Sequence, residues 1–356
     1  MGSTAHYPPS GVYADSYKKD MRIVKTKRQA AMAIGGLILL FMIPIIPGLN
    51  STYTLRIIIG IAISIITCLG LNILTGYCGQ LNVGQSAFVM VGAFTAGLLN
   101  YHQGWSFWAN IIPSGLTAAL LGVIFGAPSV RLKGLYLALT TLSAQIILTW
   151  IALYHISTAA AGFVVDPPAI GSFFFDTPER FYFIAMTFTC VMCFFAKSIV
   201  RSGIGRAFMA IRDNETAAEA MGINIFRYKL LAFLICTFYA GIAGALFAHY
   251  MMWVQLESFT LIDSVWYLVM IIVGGLGSIE GTIFGVIFIV SIKEIIYVVG
   301  PLLEGSMPFL PTGAGSGFLL VCIGGIAILF LILEPRGLVH RWKIIKTYYR
   351  LWPYGY

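Results

Sequence analysis

The residues best equipped for chemistry fall in three short stretches of an otherwise apolar chain. The first is Gly205–Gly222, GRAFMAIRDNETAAEAMG, which holds Arg206, Arg212, Asp213, Glu215 and Glu219. An Arg or Asp at a bilayer centre costs about 2.5–3.5 kcal/mol, so this run belongs outside the membrane. It nevertheless reads as helix. Ala207, Ala210, Ala217, Ala218 and Ala220 favour one, Thr216 and Glu219 have capping-box spacing, and Gly222 is a C-terminal stop. Ile204, Phe208, Ile211, Ala218 and Met221 recur at helical spacing on one side. The Asp213-Asn214 break predicts two short helices, 204–212 and 216–222. An amphipathic element held outside the bilayer between two apolar spans is either a docking surface for a soluble partner or an interfacial loop helix.

The other two stretches are Asn72–Ser86 and Val273–Thr282. Each is Gly-rich, polar and nearly uncharged, and each joins two spans too tightly for a solvated loop. Non-helical backbone at that depth is tolerated only where protein or a water-filled cavity covers it. One lies in each half of the chain, as in transporters built from two structural repeats with broken helices near the substrate path. Candidate path residues are Asn72, Gly76, Gly79, Gln80, Asn82, Gly84 and Gln85 from the first, and Gly274, Gly275, Gly277 and Ser278 from the second. The alternative is a pair of cytoplasmic turns with close helix contacts.

Enzyme chemistry is not written in the sequence. No GxxxxGK[ST] run cradles a phosphate. His6, His102, His155, His249 and His340 are scattered and never paired at metal spacing. Cys190 and Cys193, one helical turn apart within a span, read as core packing. The chain is therefore expected to have no catalytic residue, metal or cofactor of its own, and not to be an enzyme. An ion-coupled carrier places ionisable groups inside its spans. Here only Lys293 and Glu294 lie within one, and as neighbours they face different sides of a helix. A passive channel for a small neutral solute is a third possibility.

The elements that hold these stretches are membrane spans. The chain is 59% hydrophobic and 10% charged, against about 25% charged in soluble proteins. The net charge of +8 collects in loops and termini, which indicates orientation rather than nucleic-acid binding. The fold expected is an all-α polytopic membrane protein of ten spans: 30–48, 55–75, 84–100, 107–127, 134–154, 181–200, 228–250, 264–278, 281–299 and 316–334. The eighth is short enough to be re-entrant or broken. Starting with the basic N-terminus inside, alternation puts Arg131 and Lys133, the Lys197–Lys229 segment and the basic C-terminus inside as well. Topology is N-in and C-in, and Gly205–Gly222 is cytoplasmic. Residues 1–28 read as a disordered basic tail, 29–338 as one permease domain and 339–356 as a cytoplasmic tail.

Several of these stretches resemble one family. Gly70–Leu99, GLNILTGYCGQLNVGQSAFVMVGAFTAGLL, is similar to the signature of the permease subunit of branched-chain amino acid ABC importers of the LivM type. Gly205–Tyr228 resembles its cytoplasmic coupling segment, and Arg131–Thr140, Val273–Gly285 and Glu334-Pro335-Arg336-Gly337 resemble three further blocks. The resemblance runs in order from about residue 34 to 345. It implies a multi-pass protein of a bacterial or archaeal plasma membrane, in contact with lipid. Its partners would be two cytoplasmic ATPase subunits, a sibling permease of the LivH type and an extracytoplasmic substrate-binding protein, with ATP bound by the ATPases. It carries the ATPase-coupling role to Gly205, Arg206, Ala207, Ile211, Arg212, Glu215, Ala217, Ala218, Glu219, Ala220 and Gly222. Three positions depart from the family pattern. Gln85 stands where His is usual, Gln145 where an acidic residue is usual, and Thr158–Gly162 replaces a Gly-rich stretch. These departures favour a substrate related to, but different from, a standard branched-chain amino acid, with urea, short amides and small carboxylates as alternatives.

Overall fold

The computed structural model describes residues 51–130, 134–156, 161–171, 173–306 and 337–351, with Leu132 and scattered positions at 35–45 and 321–332. The basic tail at 1–28, Arg131, Lys133, residues 158–160, most of the first and tenth expected spans, residues 307–320, Arg336 and residues 352–356 lie outside them.

The helices are α1 (Thr52–Asn72), α2 (Gln85–Gln103), α3 (Phe107–Ser129), α4 (Leu135–His155), α5 (Pro178–Arg201), α6 (Gly203–Asp213), α7 (Glu215–Ala220), α8 (Ile225–Met251), α9 (Leu261–Gly274), α10 (Ile279–Ser306) and α11 (Leu338–Leu351). Among the described residues seven helical stretches are long and apolar enough to cross a membrane: Thr52–Tyr77, Phe107–Pro128, Tyr136–His155, Pro178–Arg201, Ile225–Met251, Leu256–Gly274 and Ile279–Val298. They correspond to seven of the expected spans. α2, at 84–100 in the sequence reading, is a further long helix with polar ends, Gln85-Ser86 and Asn100–Gln103.

α8 is the hub. It packs against α1, α2 and α3 through small residues that leave no room for side chains. A Cβ on Gly92 would lie 2.3 Å from the Gly241 carbonyl oxygen, and one on Gly244 would lie 2.0 Å from that of Val89. The large side chains Phe88, Phe107, Phe181, Phe233 and Tyr182 fill the space left around this close contact and are fully buried.

The two ends differ. At one end, four two-residue strands pair as β1 (Phe163–Val164) with β4 (Trp253–Val254) and β2 (Ala169–Ile170) with β3 (Phe173–Phe174). His249 Nδ1 donates to the Asp166 carbonyl at 2.8 Å and ties this cap to α8. The other end carries α6, α7 and α11. There Gly337 sits against the backbone of Gly274 and Gly275, and Trp342 of α11 meets Phe284 of α10.

Candidate functional site

α6 and α7 form a bent unit at the end opposite the strands. Ser202 caps α6 by accepting from Ile204 N, and Asn214 caps α7 by accepting from Ala217 N at 3.1 Å. The break therefore falls at Asn214, as the sequence implies, but Asn214 does the capping expected of Thr216. An Asx side chain at the bend reaches the free N–H groups of the following turn directly. Phe208, Ile211 and Ala218 are buried as expected. Ile204 and Met221 are not: Met221 is 84% exposed, because the bend rotates the second helix away from the face of the first.

Of the expected coupling residues, Gly205, Ala207, Ile211 and Ala218 form the buried side, and Arg206, Ala217, Glu219, Ala220 and Gly222 are exposed. Gly205 has no room for a side chain, since its Cβ would lie 2.1 Å from the Val200 carbonyl oxygen. Arg212 and Glu215 turn towards the helices beneath. Lys229 Nζ, at the start of α8, donates to Glu215 Oε1 at 2.5 Å, and the Lys229 side chain is almost fully buried. A groove of about 640 Å³ opens beside α7, lined by Glu215, Glu219 and Lys229 together with Val130, Ile223 and Phe226.

Arg212 leads from this unit to the two polar stretches, which the fold brings together. α1 ends in a single π-helical turn over Ile73–Tyr77, a form common at functional sites. Arg212 Nη1 donates to the Gly76 carbonyl at 3.0 Å. The Arg212 side chain also packs over Gly79 (φ 76°) and Gly277 (φ 72°), both in backbone conformations that favour glycine. Asn72 ties the stretches to each other. Its Nδ2 donates to the Ser278 carbonyl (2.9 Å) and Thr282 Oγ1 (2.8 Å), and its Oδ1 accepts from Gly277 N (2.9 Å). A Cβ on Gly76 would lie 2.0 Å from Asn72 Oδ1, and one on Gly274 would lie 2.0 Å from the Gly281 carbonyl oxygen. Gly275 is buried in the same turn. These residues form a packed junction at the α6 end.

A second polar cluster lies further in. Asn82 Nδ2 donates to Gln85 Oε1 (2.8 Å), which also accepts from Cys236 Sγ (3.2 Å), and Asn82 Oδ1 accepts from Gly84 N. Gly84 fits against the Thr141 carbonyl of α4. Ser86 N donates to Ser264 Oγ (2.8 Å), and Ser264 donates to Gln145 Oε1 (2.7 Å). Two of the positions that depart from the family pattern, Gln85 and Gln145, thus each belong to a buried hydrogen-bonded group, and the two groups adjoin at the Gln85-Ser86 backbone. Gln80 is buried as well, and neither of its side-chain amide atoms has a hydrogen-bond partner.

Outside the spans, burial pushes the Cys78 thiol up to about 12, with Lys229 acting in the opposite direction. Such a thiol is unreactive while the junction is closed. Among the described residues no group of His, Cys, Asp or Glu could hold a metal ion. Lys293 and Glu294 do point apart: Glu294 Oε2 accepts from Tyr53 OH at 2.8 Å, and Lys293 lies 5.2 Å from the Trp266 ring centroid.

Over residues 53–331 the chain matches the family described as branched-chain amino acid transport system / permease component. The chain belongs to that family. The high-affinity branched-chain amino acid transport system permease protein LivM of Escherichia coli K12 is 31% identical to this permease over 303 aligned residues, covering 78% of this chain and 68% of that protein. The probable LivM of Methanocaldococcus jannaschii is 26% identical over 79% of this chain and 91% of that protein. The guanosine ABC transporter permease protein NupQ of Bacillus subtilis is 20% identical over 52% of this chain and 63% of that protein. No solved structure matches the chain. The permease is a multi-pass membrane subunit of an ABC transporter of the branched-chain amino acid type and is not itself an enzyme.

Proposed function

We propose that this permease carries branched-chain or related small amino acids across a bacterial or archaeal plasma membrane by alternating access, driven by two ATPase subunits that dock on α6–α7. Nucleotide binds to those partners and not to this chain. A sibling permease of the LivH type completes the pathway, and a substrate-binding protein delivers solute at the strand end. The N- and C-termini lie on the ATPase side. The coupling residues are Gly205 to Gly222 as named above, and the path passes the two polar stretches. Those stretches, each a turn between two long helices, are the corresponding parts of two repeated halves.

One observation supports this most directly. The α6–α7 unit presents Arg206, Glu219 and a groove outward while Arg212 and Glu215 bind the helices beneath. A push on the outer face therefore reaches the junction of the polar stretches. The test is Glu219→Lys in the reconstituted complex of permeases, ATPases and binding protein. The docking role predicts loss of stimulated ATPase activity and uptake, and wild-type values for both would remove it.

The substrate has a second reading. Relatives named for guanosine, nucleosides and glucose belong to the same wider group, and Gln85 and Gln145 make the inner cluster neutral and amide-rich. That favours a small polar solute such as urea or a short amide. Ligand binding by the cognate binding protein, measured across amino acids, amides and carboxylates, separates the two.

A further inference from the structure

Among the described residues, a polar face half-way through the membrane is left uncovered. Its depth is fixed by α4. Gln145 is the central residue of Leu135–His155 and accepts from Ser264 at 2.7 Å, so Ser264 and its neighbour Asp263 lie near the middle of a membrane-crossing helix. A second ruler agrees. The turn after α9 is tied to Asn72 at the end of α1. Asp263 lies about 16 Å along α9 from that turn, and α1 is about 30 Å long at 1.5 Å per residue.

By hydropathy the eighth span starts at residue 264 and is short enough to be re-entrant or broken. The structure instead takes the chain inward before α9 begins. Phe259 is buried against Phe94, at the middle of α2, and Phe247, one turn from the strand end of α8. Between β4 and α9 the backbone forms one 3-10 turn, Leu256–Ser258. Thr260 is exposed and Asp263 half-buried. Irregular backbone and a carboxylate are not left against lipid at this depth; protein or water covers them.

Among the described residues no cation neutralises Asp263. Its Oδ2 accepts from Thr260 N (2.9 Å) and Thr260 Oγ1 (2.6 Å) in a capping box. Lys293 is engaged over Trp266, one turn further along, and no ion pair to Asp263 forms among the described residues. Capping accounts for the two bonds but not for the charge, since a neutral Gln closes the same box.

We propose that this face lines the translocation path and that Asp263 is a subsite for the ammonium group of the transported solute. This rests on the transport reading above. Thr260 holds the carboxylate in place, and the Ser264–Gln145 pair beside it keeps the wall polar and uncharged. A single half-exposed carboxylate attracts an ammonium group without trapping it, as passage requires.

The test uses the full complex in proteoliposomes with radiolabelled leucine, and thiol labelling of Asp263→Cys measured against the parent protein. Asp263→Asn should lower leucine uptake at least ten-fold, mainly through KM, with stimulated ATPase activity retained and Asp263→Glu intermediate. Asp263→Cys should react with a membrane-impermeant methanethiosulfonate, and leucine should slow that reaction. Wild-type uptake kinetics in Asp263→Asn would overturn the proposal. So would an Asp263→Cys thiol inert both with and without ATP. Absence of leucine uptake by the wild-type complex would count against the amino acid reading itself, and the labelling would still decide whether Asp263 faces water.

Discussion

Removing the Arg212 side chain should loosen the junction beneath the docking unit without dismantling the unit. Arg212 Nη1 donates to the Gly76 carbonyl at 3.0 Å, while Nε and Nη2 bind Asp213 at the surface. A hydrogen bond from a charged donor contributes about 1.5–3 kcal/mol net. The side chain is 38% exposed, so screening by solvent puts the value near the low end, about 1.5 kcal/mol. That is roughly a ten-fold change in the ratio of closed to open junction. Cys78 reports it. The thiol is buried and its pKa lies at about 12, so only about one part in 10⁴ is thiolate at pH 8 and modification waits on opening. In the nucleotide-free complex, Arg212→Ala should speed maleimide modification of Cys78 about ten-fold. It should also lower the solute carried per ATP hydrolysed. Asp213→Ala, which removes only the exposed partner, should match wild type in both. Wild-type labelling and coupling in Arg212→Ala would refute the idea that the docking unit is linked to the junction through this residue.

Gly76→Ala should prevent correct packing, because the added Cβ would lie 2.0 Å from Asn72 Oδ1 and 2.4 Å from Gly277 N; fluorescence-detected size exclusion would show aggregation or loss of the monodisperse peak. Asn72→Leu leaves the Gly277 N–H without its partner and should cost about 1–3 kcal/mol, read as a lowered Tm in detergent. Lys229→Met removes the buried cation facing Glu215, whose side chain is 27% exposed, so the loss should fall below the roughly 3–5 kcal/mol of a fully buried pair. Adding Glu215→Gln should restore most of the lost Tm. Raising the pH should speed Cys78 modification about ten-fold per unit, because the thiolate fraction keeps growing until the pH reaches the raised pKa; a plateau between pH 8 and 9 would mean an exposed, ordinary thiol.

Seven of the spans and the two short helices α6 and α7 were legible because hydropathy and charge placement are local properties of the chain. The structure brings α6–α7 and α11 to one end through Arg212, Gly277 and Gly337, and the Asp213-Asn214 pair marked the bend. What the sequence could not give were directions. Arg212 and Glu219 look equivalent as charged residues on a short helix, yet one reaches Gly76 and the other stays in solvent, because the bend at Asn214 sets the two helices at different angles. Met221 fits the apolar periodicity of one continuous helix and is exposed for the same reason. Asn72 and Ser278 were both legible as polar breaks, but their contact depends on α1 and α9 lying side by side, a tertiary fact. Asp263 does not stand out in the sequence because Glu257, Ser258, Thr260 and Asp263 interrupt the apolar pattern and make the stretch look like a loop by hydropathy. Only its contact with the centre of α4, through Ser264 and Gln145, reveals the depth.

If partner ATPases acting on α6–α7 drive transport, as proposed, the chain carries no solute by itself. The most direct measurement is solute uptake into proteoliposomes with ATP enclosed or omitted, by the full complex and by the permease chain alone. The account predicts uptake by the complex with ATP, none without it, and none by the chain alone. Uptake by the chain alone without ATP, collapsed by a protonophore, would contradict it and identify an ion-coupled carrier instead.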